Sequence, residues 1–149
     1  MTLYAENRRA HFTYEILEKF QAGLALNGQE VKSIKAGRIQ LAGSYVMPRG
    51  EELFLAGAHV PAYQPANAPA DYNPERDRKL LLRKEEIRYL LGKARERGLT
   101  LVPLRVYTDK RNLKLEFGLA RGKKKEDQRE IIRKREAERE IERALKMRR

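Results

Sequence analysis

The chain has 149 residues, of which 33 are Lys or Arg and 21 are Asp or Glu, so its formal net charge is +12. It contains no cysteine, which excludes disulfides, thiolate zinc sites and cysteine nucleophiles. No stretch approaches the ~18 consecutive apolar residues of a membrane span. We therefore expect a soluble, cytosolic protein whose first partner to test is a polyanion, either nucleic acid or an anionic membrane surface.

The first half of the chain predicts strands, a short helix and a hairpin. Residues 12–21 and 24–27 have the composition of strands, and residues 31–36 predict a short helix that ends at a glycine. A hairpin is predicted with strands at 45–47 and 52–55 and a four-residue turn between them.

The second half predicts an irregular loop, a helix and a second hairpin. Residues 61–73 are rich in proline and predict a mobile loop. Residues 84–97 place apolar side chains on one face of a helix. Strands are predicted at 99–107 and 113–119, and Pro103 marks a bulge or an edge position because it cannot donate a ladder hydrogen bond.

The last part of the chain is a dense basic tail. Residues 121–149 contain 13 Lys or Arg and 7 Asp or Glu, which gives the same net charge as the much longer body. The tail has helix potential but little apolar surface to hold a helix against a core. We expect residues 123–149 to be disordered alone and helical against an anionic partner; the alternative is a solvated charged helix without a partner.

Residues that could carry catalysis are scarce. The two histidines, His11 and His59, lie in different segments, and neither serine, Ser33 or Ser44, belongs to a nucleophile motif. The glycines and lysines of 118–124 are one residue short of a phosphate-binding loop. We therefore expect no enzyme, no metal site and no cofactor.

The strand and helix pattern indicates a fold that is mainly β with helices. Many short strands with one packed helix favour a closed or nearly closed barrel, and the basic charge favours the OB type, a small antiparallel β-barrel with flanking helices and a basic C-terminal tail. We expect residues 1–122 to form this barrel domain.

Several segments together are typical of one family. They are NRRA at 7–10 with AGLAL at 22–26, GQEVKSIKAG at 28–37, NPERDRKLLL at 73–82, and GLTLVPL at 98–104 with GLARGKK at 118–124. In this order and spacing the sequence resembles the SsrA-binding protein (small protein B, SmpB) family across nearly the whole chain.

The resemblance implies an OB-type barrel and a role in trans-translation. It implies binding to the tRNA-like domain of transfer-messenger RNA (tmRNA, or SsrA RNA) and delivery of that RNA to stalled 70S ribosomes. The tail would enter the empty mRNA channel and the decoding centre of 16S rRNA and become helical there. Elongation factor Tu would be an indirect partner through tmRNA, and no membrane is involved.

The resemblance also implies which residues meet RNA. The expected RNA-binding residues are Asn7, Arg8, Gln21, Gly23, Glu30, Lys32, Ser33, Lys35, Arg76, Arg78, Lys79 and Leu81. The expected ribosome-binding residues of the tail are Lys123, Lys124, Lys125, Arg129, Arg133, Lys134 and Arg135.

Chemistry suggests how these side chains would act. The Asn7 amide and the Ser33 hydroxyl can hydrogen-bond a base edge or a 2′-hydroxyl. Because Glu30 would repel a phosphate, we expect it to orient Lys32 or Arg8, or to accept from a base amino group. Phosphate contacts are expected from the cations Arg8, Lys32, Lys35, Arg76, Arg78 and Lys79.

The chain departs from the family pattern at two informative positions. Gln21 stands where the family has Glu, so an acceptor oxygen remains but the charge is lost. Glu126 stands where the family has an aromatic residue or His, and a carboxylate cannot stack on a base.

Two other classes of protein fit part of the pattern. A ribosomal or general RNA-binding structural protein with a basic tail would explain the charge and the barrel without a role in ribosome rescue. The second class is an enzyme that acts on nucleic acid, but this sequence has neither the metal cluster nor the nucleophile that such an enzyme needs. A comparison of binding to tmRNA with binding to a control RNA of equal length distinguishes a general RNA-binding protein from a member of the SmpB family.

Overall fold

The computed structural model describes residues 1–123 and 125–147. Its elements are β1 (Thr2–Glu6), α1 (Ala10–Thr13), β2 (Tyr14–Leu24), α2 (Gly28–Lys35), β3 (Tyr45–Arg49), β4 (Glu52–Ala56), β5 (Arg78–Leu81), α3 (Lys84–Ala94), β6 (Leu99–Asp109), β7 (Asn112–Gly122) and α4 (Lys125–Met147).

The seven strands form one antiparallel sheet in the order β1-β6-β7-β2-β5-β4-β3. The sheet is open, with β1 and β3 as its end strands, and it curls so that β3 approaches β6. The predicted class, mainly β with flanking helices, is confirmed. The curl agrees with the nearly closed barrel that the strand pattern predicts, but the two end strands are not paired with each other.

The core lies inside the curled sheet, where α2 and α3 each contribute apolar side chains. Ile34 of α2 and Leu90 of α3 are completely buried with Leu53, Leu115 and Phe117 of the strands. Burying each such side chain stabilises the fold by roughly 1.5–3 kcal/mol relative to leaving it exposed. The helices are therefore fixed to the sheet, and so are the polar residues on their outer faces.

The chain between residues 10 and 36 differs from its prediction. Residues 10–13 form α1, and β2 continues through Gly23 to Leu24 instead of breaking there. Asn27 is the N-cap of α2, not the end of a strand: its Oδ1 accepts the Glu30 N–H at 2.9 Å, and Glu30 Oε1 accepts the Asn27 N–H at 3.0 Å. This capping box begins the helix at Gly28, three residues earlier than predicted.

Both hairpins are tighter than predicted. Only Gly50 and Glu51 connect β3 to β4, and only Lys110 and Arg111 connect β6 to β7. The bulge expected at Pro103 is confirmed by a register shift before Arg105.

Two further strands and the end of the long helix differ from their predictions, while the proline-rich loop agrees with its prediction of irregular structure. The strands β1 and β5 were not predicted. The long helix ends at Ala94 rather than residue 97, and the chain turns at Gly98 with φ +83°. The segment 61–73 is irregular apart from one 3-10 turn at Pro65–Asn67.

The tail contains a 23-residue helix, α4, that starts close to α1. The Lys123 N–H donates to Thr13 O at 2.9 Å, and its Nζ donates to His11 O at 2.6 Å. Further along, the Arg135 guanidinium lies 5.9 Å from the centre of the Phe12 ring. No helix among the described residues is long and apolar enough to cross a membrane.

Candidate RNA-binding surface

Strand pairing places four of the predicted residues on one face of the sheet: Gln21 and Gly23 of β2 with Lys79 and Leu81 of β5. Gly23 in β2 pairs with Leu81 of β5 on one side and with Lys114 of β7 on the other. A Cβ at Gly23 would lie 3.2 Å from the Leu81 Cβ, so the absence of a side chain permits the close approach. Leu81 is 52% exposed although it is a large apolar residue in a strand.

Two open depressions meet at Leu81 and Lys114. Gln21 and Lys79 line the larger one, while Gly23 and Lys35 line the other. We call this region the Leu81 surface. Its defining residues are Gln21, Gly23, Lys35, Lys79, Leu81 and Lys114.

The Leu81 surface combines cations with an exposed apolar side chain. Its lysines can contact phosphates, and Leu81 offers an apolar platform for an unstacked base. The Lys79 ammonium also lies 3.5 Å from the Glu52 carboxylate, which restricts its position over the sheet. Gln21 is exposed beside them and supplies an uncharged acceptor.

Lys114 is a candidate that the sequence prediction missed. The sequence held a usable signal, because Leu113 and Leu115 point toward the interior and a strand alternates its faces. Its proximity to Leu81, however, depends on β2 lying between β5 and β7, which no local pattern encodes.

Behind the Leu81 surface, Glu30 forms a buried node with two arginines. Arg78 Nε donates to Glu30 Oε2 at 2.7 Å, and Arg76 Nε donates to the same oxygen at 3.0 Å. Arg76 also pairs with Glu30 Oε1 and donates to Ala25 O at 3.2 Å. Glu30 has no exposed surface and the Arg78 side chain is 1% exposed, so this pair is isolated from solvent, whereas Arg76 reaches the surface.

The arginines determine the charge state of this node. Burial acts to raise the pKa of the Glu30 carboxyl, but hydrogen bonds from Arg76, the Asn27 N–H and Arg78 outweigh it and hold that pKa below its ordinary value. Glu30 is therefore an ionised carboxylate that joins α2 to the segment leading into β5.

This burial corrects three predicted roles. Glu30 orients Arg76 and Arg78, not Lys32 or Arg8. Arg78 donates to Glu30, Ala58 O and Pro74 O, so in this structure it has no surface on which a phosphate could rest. Ser33 has no exposed surface either and cannot present its hydroxyl to a base edge.

Lys32, Lys35 and Arg76 remain accessible on or beside α2. Both lysine side chains are exposed, while Arg76 is 36% exposed and uses its guanidinium within the node. Their part in RNA binding stays a prediction. Of the three, Arg76 is the one whose charged group is already paired with a buried carboxylate.

Asn7 and Arg8 lie in a different part of the molecule. Asn7 Nδ2 donates to Pro103 O at 2.9 Å, and its backbone N–H donates to Leu104 O at 2.7 Å. Asn7 lines a separate depression with Tyr45 and Val102. The structure therefore does not bring Asn7 and its exposed neighbour Arg8 onto the Leu81 surface.

The predicted ribosome-binding residues of the tail differ in their position and exposure. Lys124 lies outside the described residues, and Lys125 is the first residue of α4. Lys123 is half-buried against α1. The exposed cations along α4 that were predicted to bind the ribosome are Arg129, Arg133, Lys134 and Arg135.

Side chains that could bind a metal ion or transfer a proton are few among the described residues. Within residues 1–123 and 125–147, no group of three or more His, Asp or Glu side chains could hold a metal ion. His59 Nδ1 lies 3.6 Å from the Glu75 carboxylate, and this pair is at the surface, away from His11.

Comparison with known proteins identifies the family. A family model described as SmpB protein matches residues 4–147. This chain belongs to the SmpB family. The SsrA-binding protein of Acaryochloris marina is 51% identical over 142 residues, covering 95% of this chain and 92% of the relative. That of Carboxydothermus hydrogenoformans is 50% identical over 146 residues, covering 98% and 97%.

The SmpB fold is also found among solved structures. One similar chain, described as "tmRNA-SmpB: a journey to the center of the bacterial ribosome", is 46% identical with a TM-score of 0.66. The match covers 86% of this chain and 93% of the solved one.

Proposed function

We propose that this protein binds the tRNA-like domain of tmRNA and delivers it to stalled ribosomes in trans-translation. Relatives of about half-identical sequence are named for SsrA binding, and a similar solved chain is described with tmRNA and the bacterial ribosome. The structural observation that carries the proposal is the Leu81 surface, where lysines surround an exposed leucine. This combination suits a folded RNA that presents both phosphates and an unstacked base.

We further propose a division of labour between the body and the tail. Residues 1–122 would bind tmRNA, and residues 123–149 would enter the mRNA channel and the decoding centre of the stalled 70S ribosome, helical there and disordered alone. Elongation factor Tu would take part indirectly through tmRNA. The protein would act as a binding factor rather than an enzyme, and its site of action would be the cytoplasm.

The proposal is tested by binding to the isolated tRNA-like domain and to an equal-length control RNA over a salt series. We expect a preference for the tRNA-like domain that persists at physiological salt, because fitted contacts add to the ionic ones. Equal affinities that fall steeply together with salt would instead support a general RNA-binding structural protein with a basic tail.

A further inference from the structure

The turn between β6 and β7 has Lys110 and Arg111 in the left-handed backbone conformation, which glycine and asparagine adopt more easily. Asp109 pairs with Asn112, so Lys110 and Arg111 alone form the loop. Their φ angles are +50° and +82°. A two-residue hairpin with positive φ at both positions is best served by Asn-Gly, since a Cβ crowds the backbone in the left-handed region.

The other two-residue turn in this molecule, between β3 and β4, has a glycine at its positive-φ position and is therefore less strained. Between β3 and β4, Gly50 takes the positive φ of +61°, and Glu51 follows with an ordinary backbone. Lys110 and Arg111 are the residues with positive φ that are not glycine within the described part of the chain. Strain retained at two neighbouring positions points to a use for their side chains.

The location of the turn indicates what that use is. Arg111 lines the depression that also contains Gly23, Lys35, Leu81 and Lys114, so the turn forms one end of the Leu81 surface. Lys110 and Arg111 are both exposed. Their charges therefore extend a cationic surface into solvent from the tip of a hairpin.

We propose that Lys110 and Arg111 form a phosphate-binding pair for structured RNA, at the cost of a strained turn. The inference rests on the proposed function in one respect: the RNA is the one that occupies the Leu81 surface. The planar guanidinium of Arg111 can hold a phosphate through two parallel hydrogen bonds, and Lys110 adds a second point charge beside it.

The decisive variant is the double substitution Lys110→Asn with Arg111→Gly. It gives the turn its preferred residues, so we expect the midpoint of urea unfolding to rise. Loss of two phosphate contacts should weaken RNA binding roughly 10- to 30-fold at physiological salt and reduce the slope of log K against log salt by about 1.5 to 2. A residue with only a structural role would not move stability and affinity in opposite directions.

A matched variant removes two charges that line neither depression of the Leu81 surface. Arg95→Gln with Arg97→Gln neutralises two exposed cations just after α3. We expect it to weaken binding only a few-fold through the overall field, with little change in the salt slope. If it loses as much affinity and slope as the turn variant, net charge explains the result and the inference is wrong.

The remaining outcomes also decide the question. A turn variant that is more stable but binds RNA like the wild type shows a strained turn without a role in RNA binding. If the double variant does not fold, Arg111→Gly alone should show about half of the slope change, and an unchanged slope there overturns the inference. The slope is measured on both the tRNA-like domain and the control RNA. If the wild-type protein binds the two RNAs equally, the proposed function is refuted, whatever the turn variant shows.

Discussion

At the scale of single residues, Glu30 joins elements that carry much of the predicted RNA contact. It caps α2, which bears Lys32 and Lys35, and it holds the two arginines that precede Lys79. A buried carboxylate is tolerated here because its oxygens are occupied by donors; removing one partner would leave an uncompensated charge. We therefore expect Glu30 to act in RNA binding by positioning other side chains.

Substitutions of Arg76 and Lys79 should separate positioning from contact. Lys79→Ala should leave stability nearly unchanged while weakening RNA binding about fivefold and lowering the salt slope by about 0.9. Arg76→Ala should reduce the free energy of unfolding by about 1–3 kcal/mol, because buried acceptors on Glu30 lose their donors. Its salt slope should match the wild type, as measured by urea unfolding and RNA titration over salt. A slope loss equal to that of Lys79→Ala would place Arg76 on a phosphate.

The lowered pKa of Glu30 predicts a dependence of stability on pH. A carboxyl whose pKa is lower in the folded state binds protons more readily when unfolded, so its stabilisation is complete above the ordinary pKa. That stabilisation is lost as the pH falls from about 4.3, the ordinary value for Glu, through the folded value. We expect urea midpoints to drop over this range in the wild type and to drop less in Arg76→Ala. An equal drop in both would contradict the role of Arg76.

At the scale of elements, long periodic segments were predictable and short or internally paired ones were not. The alternation of 113–119 and the apolar face of 84–97 led to β7 and α3 because their signals are local. β5 was missed because Arg78 points inward and Leu81 outward, the reverse of the usual hydrophobic pattern. That reversal makes sense only with Glu30 in place to receive Arg78.

The candidate site was predictable to a similar extent. Motif resemblance named Gln21, Gly23, Lys79 and Leu81, which the sheet does bring together. It could not distinguish exposed from buried members, since Glu30, Ser33 and Arg78 are all polar residues that ordinarily stay at a surface. Their burial follows from long-range packing of α2 against the segment before β5.

The helix α4 is the element whose stability depends least on the core. Ile131 near its start is half-buried and Arg135 contacts Phe12, but the large apolar residues that follow are exposed, from Ile132 at 44% to Met147 at 88%. Most of the stability of a helix in a protein comes from packing of an apolar face, and the part of α4 after Arg135 lacks that packing. We expect amides 136–147 of the free protein to exchange with almost no protection, while those of β7 serve as the protected reference. Strong protection in the tail would show a docked helix.

At the scale of the whole molecule, the net charge is divided between a folded body and a tail that projects from it. Deleting residues 123–149 should therefore leave binding to the tRNA-like domain within about threefold at physiological salt, because only the diffuse field of the tail is lost. The same deletion should abolish peptide tagging on stalled ribosomes in a reconstituted assay. Tagging by the truncated protein would refute the proposed role of the tail, while loss of tmRNA binding would refute the division of labour.

The tether between Lys123 and α1 has a mechanical consequence. β7 runs about 27 Å from Lys114 to Gly122 at ~3.4 Å per residue, and α4 would extend about 35 Å further at ~1.5 Å per residue. The two hydrogen bonds of Lys123 hold the end of β7 against α1. A receptor that holds both the Leu81 surface and the start of the tail must therefore offer its two sites about one β7 length apart, whatever direction the tail takes beyond Lys123.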